Sequence, residues 1–304
     1  MNALTIILII LAALIVLLFI AGWVLSGITM GIKRQTYEGS RAWQEERYDL
    51  SWYDLLKKET YKFSSFDGYV INVQTLINPE PSDKYVIISH GYTDNRFGAL
   101  KYAKMYLDLG FNVVTYDLRG HGENEPTYCT YTIRERKDLR ELIKDTIKRY
   151  PDLKALGLHG ESLGAATSIA VLYYQPEIDF VVSDCAFCDL YRVLAGGMKY
   201  MHLPEALLKF EELFIKLRYH VTFDQMRPID SLKGKKIPIL FIHGEADDLI
   251  PPYNSEAMVI ATEGYKDLRL IKGAPHAESV IMAPGEYAEY VKEFLEVVYS
   301  NKNK

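Results

Sequence analysis

The 304-residue sequence is poor in cysteine, has no basic excess and contains no internal repeat or low-complexity tract. Three cysteines, Cys129, Cys185 and Cys188, are too few and too uneven in number for a disulfide framework. Cys185 and Cys188 form a Cys-x-x-Cys pair, but no second pair completes a four-ligand zinc site, so both are read as packed thiols and no metal is expected. A formal charge of -5 lacks the positive surplus that draws proteins to phosphate backbones, so nucleic acid is not an expected partner. Charge is also missing at the N-terminus. Residues 3–27 carry none, and no Lys or Arg precedes Lys33.

What remains is a chain 49% hydrophobic and 25% charged, the balance of an ordinary globular protein with a full core. The uncharged stretch at 3–27 is long enough, at 1.5 Å per helical residue, to cross roughly 30 Å of hydrocarbon. It is read as one transmembrane helix, because a cleaved signal peptide has a shorter apolar region of ~7–15 residues preceded by positive charge. Trp23 suits the interfacial belt, and the first basic residues, Lys33, Arg34 and Arg41, all follow the helix. The positive-inside rule then places the large domain in the cytoplasm, on a single-pass protein of the cell membrane. The expected organisation is an anchor over 1–31, a juxtamembrane linker or short edge helix over 32–58, and one large domain over 59–304.

From residue 61 onward, apolar runs of strand length alternate with segments of helical period, which implies an α/β fold with a mostly parallel sheet covered on both faces. Strands are expected near 61–65, 70–77, 85–89, 113–116, 155–159, 180–183, 239–243 and 268–271, the first two as a hairpin across Asp67-Gly68. Helices are expected near 96–109, 133–149, 163–174, 254–262 and 287–299. Residues 186–236 interrupt the alternation with one helix candidate, 206–217, and three methionines, Met198, Met201 and Met226. An insertion at this position is read as a small helical lid over the strand ends, where ligands bind in such sheets.

Gly160-Glu161-Ser162-Leu163-Gly164 joins the strand at 155–159 to the helix that follows. A serine held on a sharp strand-to-helix turn needs small residues on either side, and the helix N-terminus presents N–H groups to developing negative charge. A serine hydroxyl needs a histidine to take its proton, and that histidine needs a carboxylate to orient it. The strand at 239–243 runs into Gly244-Glu245-Ala246-Asp247-Asp248, and the strand at 268–271 runs into Lys272-Gly273-Ala274-Pro275-His276. Both loops leave the same sheet edge as Ser162, so serine, acid and histidine occur in one order at one edge.

With these motifs the sequence resembles the α/β-hydrolase superfamily, close to its bacterial single-span esterase-like and serine aminopeptidase-like branch. Matching segments run from about residue 61 to 295. The resemblance implies an α/β-hydrolase fold with an eight-stranded sheet, and it puts the acid on Asp247 in the pattern His243 to Pro251, with Asp248 as the substitute. His90-Gly91-Tyr92-Thr93 matches the turn that implies the backbone N–H of Tyr92 as one oxyanion donor, paired with that of Leu163. Asp117-Leu118-Arg119-Gly120-His121-Gly122 matches a loop that shapes the floor of the site.

The remaining histidines are given structural roles: His90, His121, His159 and His243 adjoin glycines at strand ends or loops, while His202 and His220 fall in the lid. Glu161 occupies a motif position that tolerates many residues. Glu245 and Asp248 are read as solvated loop acids or helix caps. The expected function is hydrolysis of an ester, thioester or amide on a small or medium acyl substrate, by Ser162, Asp247 and His276 through an acyl-enzyme, without a cofactor. The alternatives are a serine peptidase, for which Glu211, Glu212 or Arg218 would hold a peptide terminus, and a membrane-tethered binding or scaffold protein without turnover.

Overall fold

A computed structural model describes residues 2–302. In chain order, α1 (Ala3–Met30), α2 (Tyr37–Glu45) and α3 (Ser51–Leu55) precede the sheet. There follow β1 (Lys58–Ser64), β2 (Val70–Leu76), β3 (Lys84–Ser89), α4 (Leu100–Asp108), β4 (Asn112–Tyr116), α5 (Glu135–Arg149), β5 (Ala155–Glu161), α6 (Leu163–Ala170) and β6 (Phe180–Asp184). The insertion holds α7 (Leu190–Tyr200) and α8 (Ala206–Tyr219). The chain ends with β7 (Ile239–Gly244), α9 (Tyr253–Ala261), β8 (Lys266–Ile271), α10 (Ser279–Met282) and α11 (Pro284–Lys302).

The eight strands form one sheet in the order β1-β2-β4-β3-β5-β6-β7-β8. β2 is antiparallel to both neighbours, and every later pairing is parallel. This is the α/β-hydrolase arrangement expected from the sequence. Central strands are buried on both faces, which is why they read as continuous apolar runs: Ile87, Leu158, Val181 and Phe241 pack into one core layer, while Val86, Ile88, Val182 and Leu240 pack into the other. The first layer is closed by α5, α6 and α8, the second by α4 and α11.

Two helices, α7 and α10, lie outside the segments expected to be helical, and the 32–58 stretch, expected as a linker or one short edge helix, holds two helices. α7 carries Gly196-Gly197, which weaken any local helical signal. α2 and α3 occupy the stretch between α1 and β1 and are bonded to the domain: Tyr37 Oη donates to Asp117 Oδ2 (2.8 Å), Ser40 Oγ to Asp94 Oδ1 (2.6 Å) and Tyr53 Oη to Gln74 Oε1 (2.7 Å).

α1 is capped by Asn2, whose Oδ1 accepts from Thr5 N at 2.9 Å. Its 28 residues extend about 42 Å, and it is the one helix among the described residues long and apolar enough to cross a membrane. Its first half stands clear of the domain, while Gly22, Ser26 and Met30, spaced on one helical face, are buried against it. A Cβ on Gly22 would lie 2.1 Å from the Phe214 ring, so close packing on α8 requires glycine there.

The largest fully buried side chain among the described residues is that of Arg119. It donates to Asp138 on α5 at 2.6 Å and to both oxygens of Asp67 in the β1–β2 turn at 2.9 Å. Removing one member of such a group strands the others without a counter-charge. Replacing Arg119 by Met should therefore lower unfolding stability by about 3–5 kcal/mol, read from urea denaturation, with little change if the ion group contributes nothing net.

Candidate active site

The chain turns from β5 into α6 at Ser162, which is held at φ 52° and ψ -114°. Positive φ is costly for a residue with a Cβ, and the surrounding packing enforces it. A Cβ on Gly160 would fall 2.4 Å from the Ala165 nitrogen, and one on Gly164 would fall 2.1 Å from the Ser89 carbonyl oxygen. Both motif glycines are therefore demanded by backbone contact. Ser162 N donates to the Asp184 carbonyl on β6 at 2.8 Å, which fixes the turn to the neighbouring strand. All eight residues of α6 are buried.

Three sequence candidates meet at this turn. His276 Nε2 lies 2.9 Å from Ser162 Oγ, and His276 Nδ1 lies 2.7 Å from Asp247 Oδ2. With Nδ1–H donating to the carboxylate, Nε2 carries a lone pair that can accept a hydrogen bond from the serine hydroxyl. Asp248 is exposed and Asp247 is buried, so of the two candidate acids only Asp247 reaches the histidine. Its other oxygen accepts from Leu249 N (3.1 Å) and Ile250 N (2.8 Å). Burial pushes this carboxyl up, but hydrogen bonds from His243 and His276 outweigh it and hold the pKa down at about 2. His243, expected to be structural, has a more specific task. It is fully buried between Ser255 Oγ (2.7 Å), the Ile250 carbonyl (2.6 Å) and Asp247 Oδ2 (3.2 Å), and so braces the acid loop.

The His90-Gly91-Tyr92 turn passes directly beside the serine: a Cβ on Gly91 would be 3.7 Å from that of Ser162 and 2.8 Å from Glu161 Oε1. Leu163 opens α6, where helix N–H groups lack intrahelical acceptors. His90 anchors the turn by accepting from Leu118 N at Nε2 (2.9 Å), with Nδ1 on the Gly91 carbonyl (2.8 Å), and burial lowers its pKa to about 4, keeping it neutral. The exit of α1 holds the same turn from outside. Tyr92 Oη donates to the Gly31 carbonyl, Gln35 N donates to the Thr93 carbonyl (2.8 Å), and Tyr131 Oη donates to the Thr29 carbonyl (2.7 Å). Nothing in the sequence announced this stitching.

Glu161, given little weight from its motif position, is the hub of a buried polar network. It pairs with the Lys101 ammonium and accepts from Tyr102 Oη at 2.6 Å. Tyr102 Oη also reaches Asp184 Oδ2 at 3.0 Å, and burial followed by the charge of Glu161 raises Asp184 to about 6. Lys101 Nζ donates in turn to the carbonyl of Ala277, the residue after His276, at 3.2 Å. The network thus joins the residue before the serine to the residue after the histidine. A cavity of about 230 Å³ opens beside His276, walled by Ser40 and Trp43 of α2, Tyr92, Asp94 and Lys101.

His121 and His159 are buried and held neutral by desolvation, His159 between the hydroxyls of Tyr106 (3.0 Å) and Tyr287 (3.3 Å). His202 and His220 are exposed at positive φ just past the ends of α7 and α8. Cys185 offers its sulfur within 4.8 Å of ligand atoms of Asp247 and His276. Burial and then the neighbouring carboxylates raise its pKa well above that of a free thiol, which disfavours the thiolate needed for attack or metal binding. The groups expected to hold a peptide terminus are engaged elsewhere. Arg218 donates to the Trp23 carbonyl (3.0 Å) and lies over its ring, Glu212 accepts from Phe223 N (2.8 Å), and Glu211 is buried against Thr29. Of the lid methionines, Met226 is core, Met198 is half-buried and only Met201 is exposed.

The depressed Asp247 carboxyl has a pH signature. Its folded pKa of about 2 lies below the ordinary aspartate value of about 3.9, so its charged state stabilises the fold above pH ~4 and that contribution is lost as pH falls toward 2. In urea titrations the wild type should exceed Asp247→Asn in stability at pH 6, with the gap closing between pH ~4 and ~2. A gap that stays constant with pH would show that the charge of Asp247 has no part in it.

Comparison with known proteins agrees with this architecture. Residues 80–220 match the hydrolase family described as serine aminopeptidase, S33. The chain is 30% identical over 269 residues to the uncharacterized protein YqkD of Bacillus subtilis, covering 87% of this chain and 86% of that one. It is 25% identical over 253 residues to the uncharacterized protein YfhR of Escherichia coli K12, covering 80% and 82% of the two chains. An esterase of Pyrococcus furiosus superposes with a TM-score of 0.68 at 25% identity, over 88% of this chain and 97% of the esterase. The chain belongs to the α/β-hydrolase superfamily, in its serine aminopeptidase-like, esterase-like branch.

Proposed function

We propose that this hydrolase cleaves a carboxylic ester of a small or medium acyl group through a covalent acyl-enzyme on Ser162. The observation that carries the reading is the continuous relay from Ser162 Oγ to His276 to Asp247, at 2.9 and 2.7 Å. Ser162 Oγ attacks the carbonyl carbon while His276 Nε2 takes its proton, and Asp247 stabilises the imidazolium at Nδ1. The carbonyl oxygen, now an oxyanion, is held by the N–H groups of Leu163 and Tyr92 at the positive end of α6. Collapse of the tetrahedral adduct breaks the bond to the alcohol oxygen, which leaves with the proton from His276. Water, deprotonated by His276, then attacks the acyl-enzyme and releases the acid and the free serine.

The esterase reading draws further support from the Pyrococcus furiosus esterase, a similar structure with a stated activity. The peptidase reading has the description of the matched family behind it, but Glu211, Glu212 and Arg218 are already bonded within the chain. A scaffold without turnover would have no need of the intact relay.

The same proposal includes the membrane. α1 spans the bilayer as a single anchor, and Lys33, Arg34 and Arg41 after it put the catalytic domain in the cytoplasm. Protease added to intact cells should leave the domain whole, and cleavage from outside would contradict this orientation.

For the chemistry, Ser162→Ala should abolish measurable p-nitrophenyl butyrate hydrolysis, and Asp247→Asn should lower kcat by roughly four orders of magnitude through loss of the correct histidine tautomer. Retained turnover in Ser162→Ala would remove Ser162 from the reaction.

A further inference from the structure

α8 is distributed around its axis in a way that a lid in water does not require. Leu208 and Ile215 are fully buried toward the domain, and Phe214 packs on α1, edge-on to Phe19 with ring centroids 5.5 Å apart. At about 100° per residue, Phe210, Leu217 and Leu213 follow about 40°, 60° and 100° round the helix from Phe214, on the side away from Leu208 and Ile215. Leu213 is 61% exposed and Leu217 57% exposed. Beyond them, at about 140° and 160°, come Lys209 and Lys216, both exposed and without an ion-pair partner among the described residues. Of the two acids of α8, Glu211 is buried on the domain side, and Glu212, about 40° beyond Lys216 at the far edge of this face, accepts from Phe223 N and pairs with neither lysine. The turn after α7 adds exposed Tyr200, Met201 and Leu203.

The position of this face follows from α1. About 20 helical residues cross the hydrocarbon layer, so a span starting at Ala3 reaches the far boundary near Gly22. Phe214 sits at Gly22 and Phe19, and Arg218 bonds the Trp23 carbonyl and lies over the Trp23 ring, 4.6 Å from its centroid. α8 therefore crosses α1 at the level where hydrocarbon gives way to headgroups. Leucines beside the anchor, flanked by unpaired lysines, are the composition of a helix lying in an anionic interface.

We propose that α8 is such an interfacial helix: Leu213 and Leu217 insert at the acyl boundary of an anionic bilayer, Lys209 and Lys216 meet its headgroups, and the enzyme takes its ester from that bilayer. This rests on the reading of α1 as a membrane span and of Ser162 as the nucleophile, and it names the substrate class as an acyl ester dissolved in the membrane.

The test uses the full chain in nanodiscs containing phosphatidylglycerol, with one spin label at a time on Leu217→Cys, Leu11→Cys or Ile260→Cys. The native thiols are buried and do not compete for label. The Leu217 label should resemble that at Leu11, open to oxygen and shielded from a water-soluble nickel complex, whereas the label at Ile260, 82% exposed on α9, should show the reverse. A Leu217 label that follows Ile260 while Leu11 stays shielded overturns the interfacial helix and leaves the anchor standing. A Leu11 label open to nickel overturns both. In the same nanodiscs, the double variant Leu213→Ser, Leu217→Ser should turn over a medium-chain monoacylglycerol that partitions into the bilayer roughly tenfold more slowly, with p-nitrophenyl acetate hydrolysis unchanged. Equal rates on both substrates for variant and wild type overturn the membrane-drawn substrate, and a wild type inert toward p-nitrophenyl acetate overturns the catalytic reading itself.

Discussion

The close approach of β5, α6 and β3 at Ser162 is the constraint on which the site depends. A serine at positive φ can persist only where neighbours leave the backbone no alternative. Here those neighbours are the Ser89 carbonyl pressed on Gly164, the Gly164–Ala165 backbone pressed on Gly160, and the Asp184 carbonyl accepting from Ser162 N. The turn in turn decides where the other groups must be. Gly91 is glycine because Glu161 and Ser162 crowd its position, and that crowding sets the Gly91 backbone beside the serine. Glu161, forced inward beside the serine, is buried and needs a counter-charge, which Lys101 supplies from α4 while also bonding the backbone after His276. One strained residue therefore fixes the positions of the turn before it and the histidine loop after it.

The N-terminal helix is joined to this arrangement at two places. Its exit bonds both sides of the Tyr92 turn, through Tyr92 to Gly31 and Gln35 to Thr93. Its last third carries the lid helix α8, with Gly22 admitting the Phe214 ring. A tether of free chain would leave the domain unoriented relative to α1. Bonds at the exit and packing on α8 instead give the domain one attitude relative to α1, so the helix is a structural member of the folded unit.

The sheet was legible because parallel strands buried on both faces must be apolar at every position, and because Gly, Pro and Asp interrupt the chain where strands end. The three loops holding Ser162, Asp247 and His276 were legible because each follows a strand at the same edge, while the choice of Asp247 over Asp248 rested on the family resemblance. The illegible parts are pairings between distant residues. Lys101 with Glu161 and Arg218 with Trp23 leave no local pattern, since each residue in isolation resembles a solvated charge or a packing aromatic. His243 looked like a strand-end histidine because its partner, the acid loop, matters only once the loop has folded back on it. α7 was hidden by its glycine pair, and what the polar composition of 32–58 could not tell was that the edge helix is held to the domain, by Tyr37 on Asp117 and Ser40 on Asp94.

The central claim is that Ser162 is the atom that reacts. The most direct measurement is mass-spectrometric mapping of the adduct formed when the full chain in membranes is treated with a fluorophosphonate. The account predicts one phosphonyl group on the peptide containing Ser162, absent after heat denaturation of the protein. A native chain that stays unmodified, or carries the group on another residue, would contradict it.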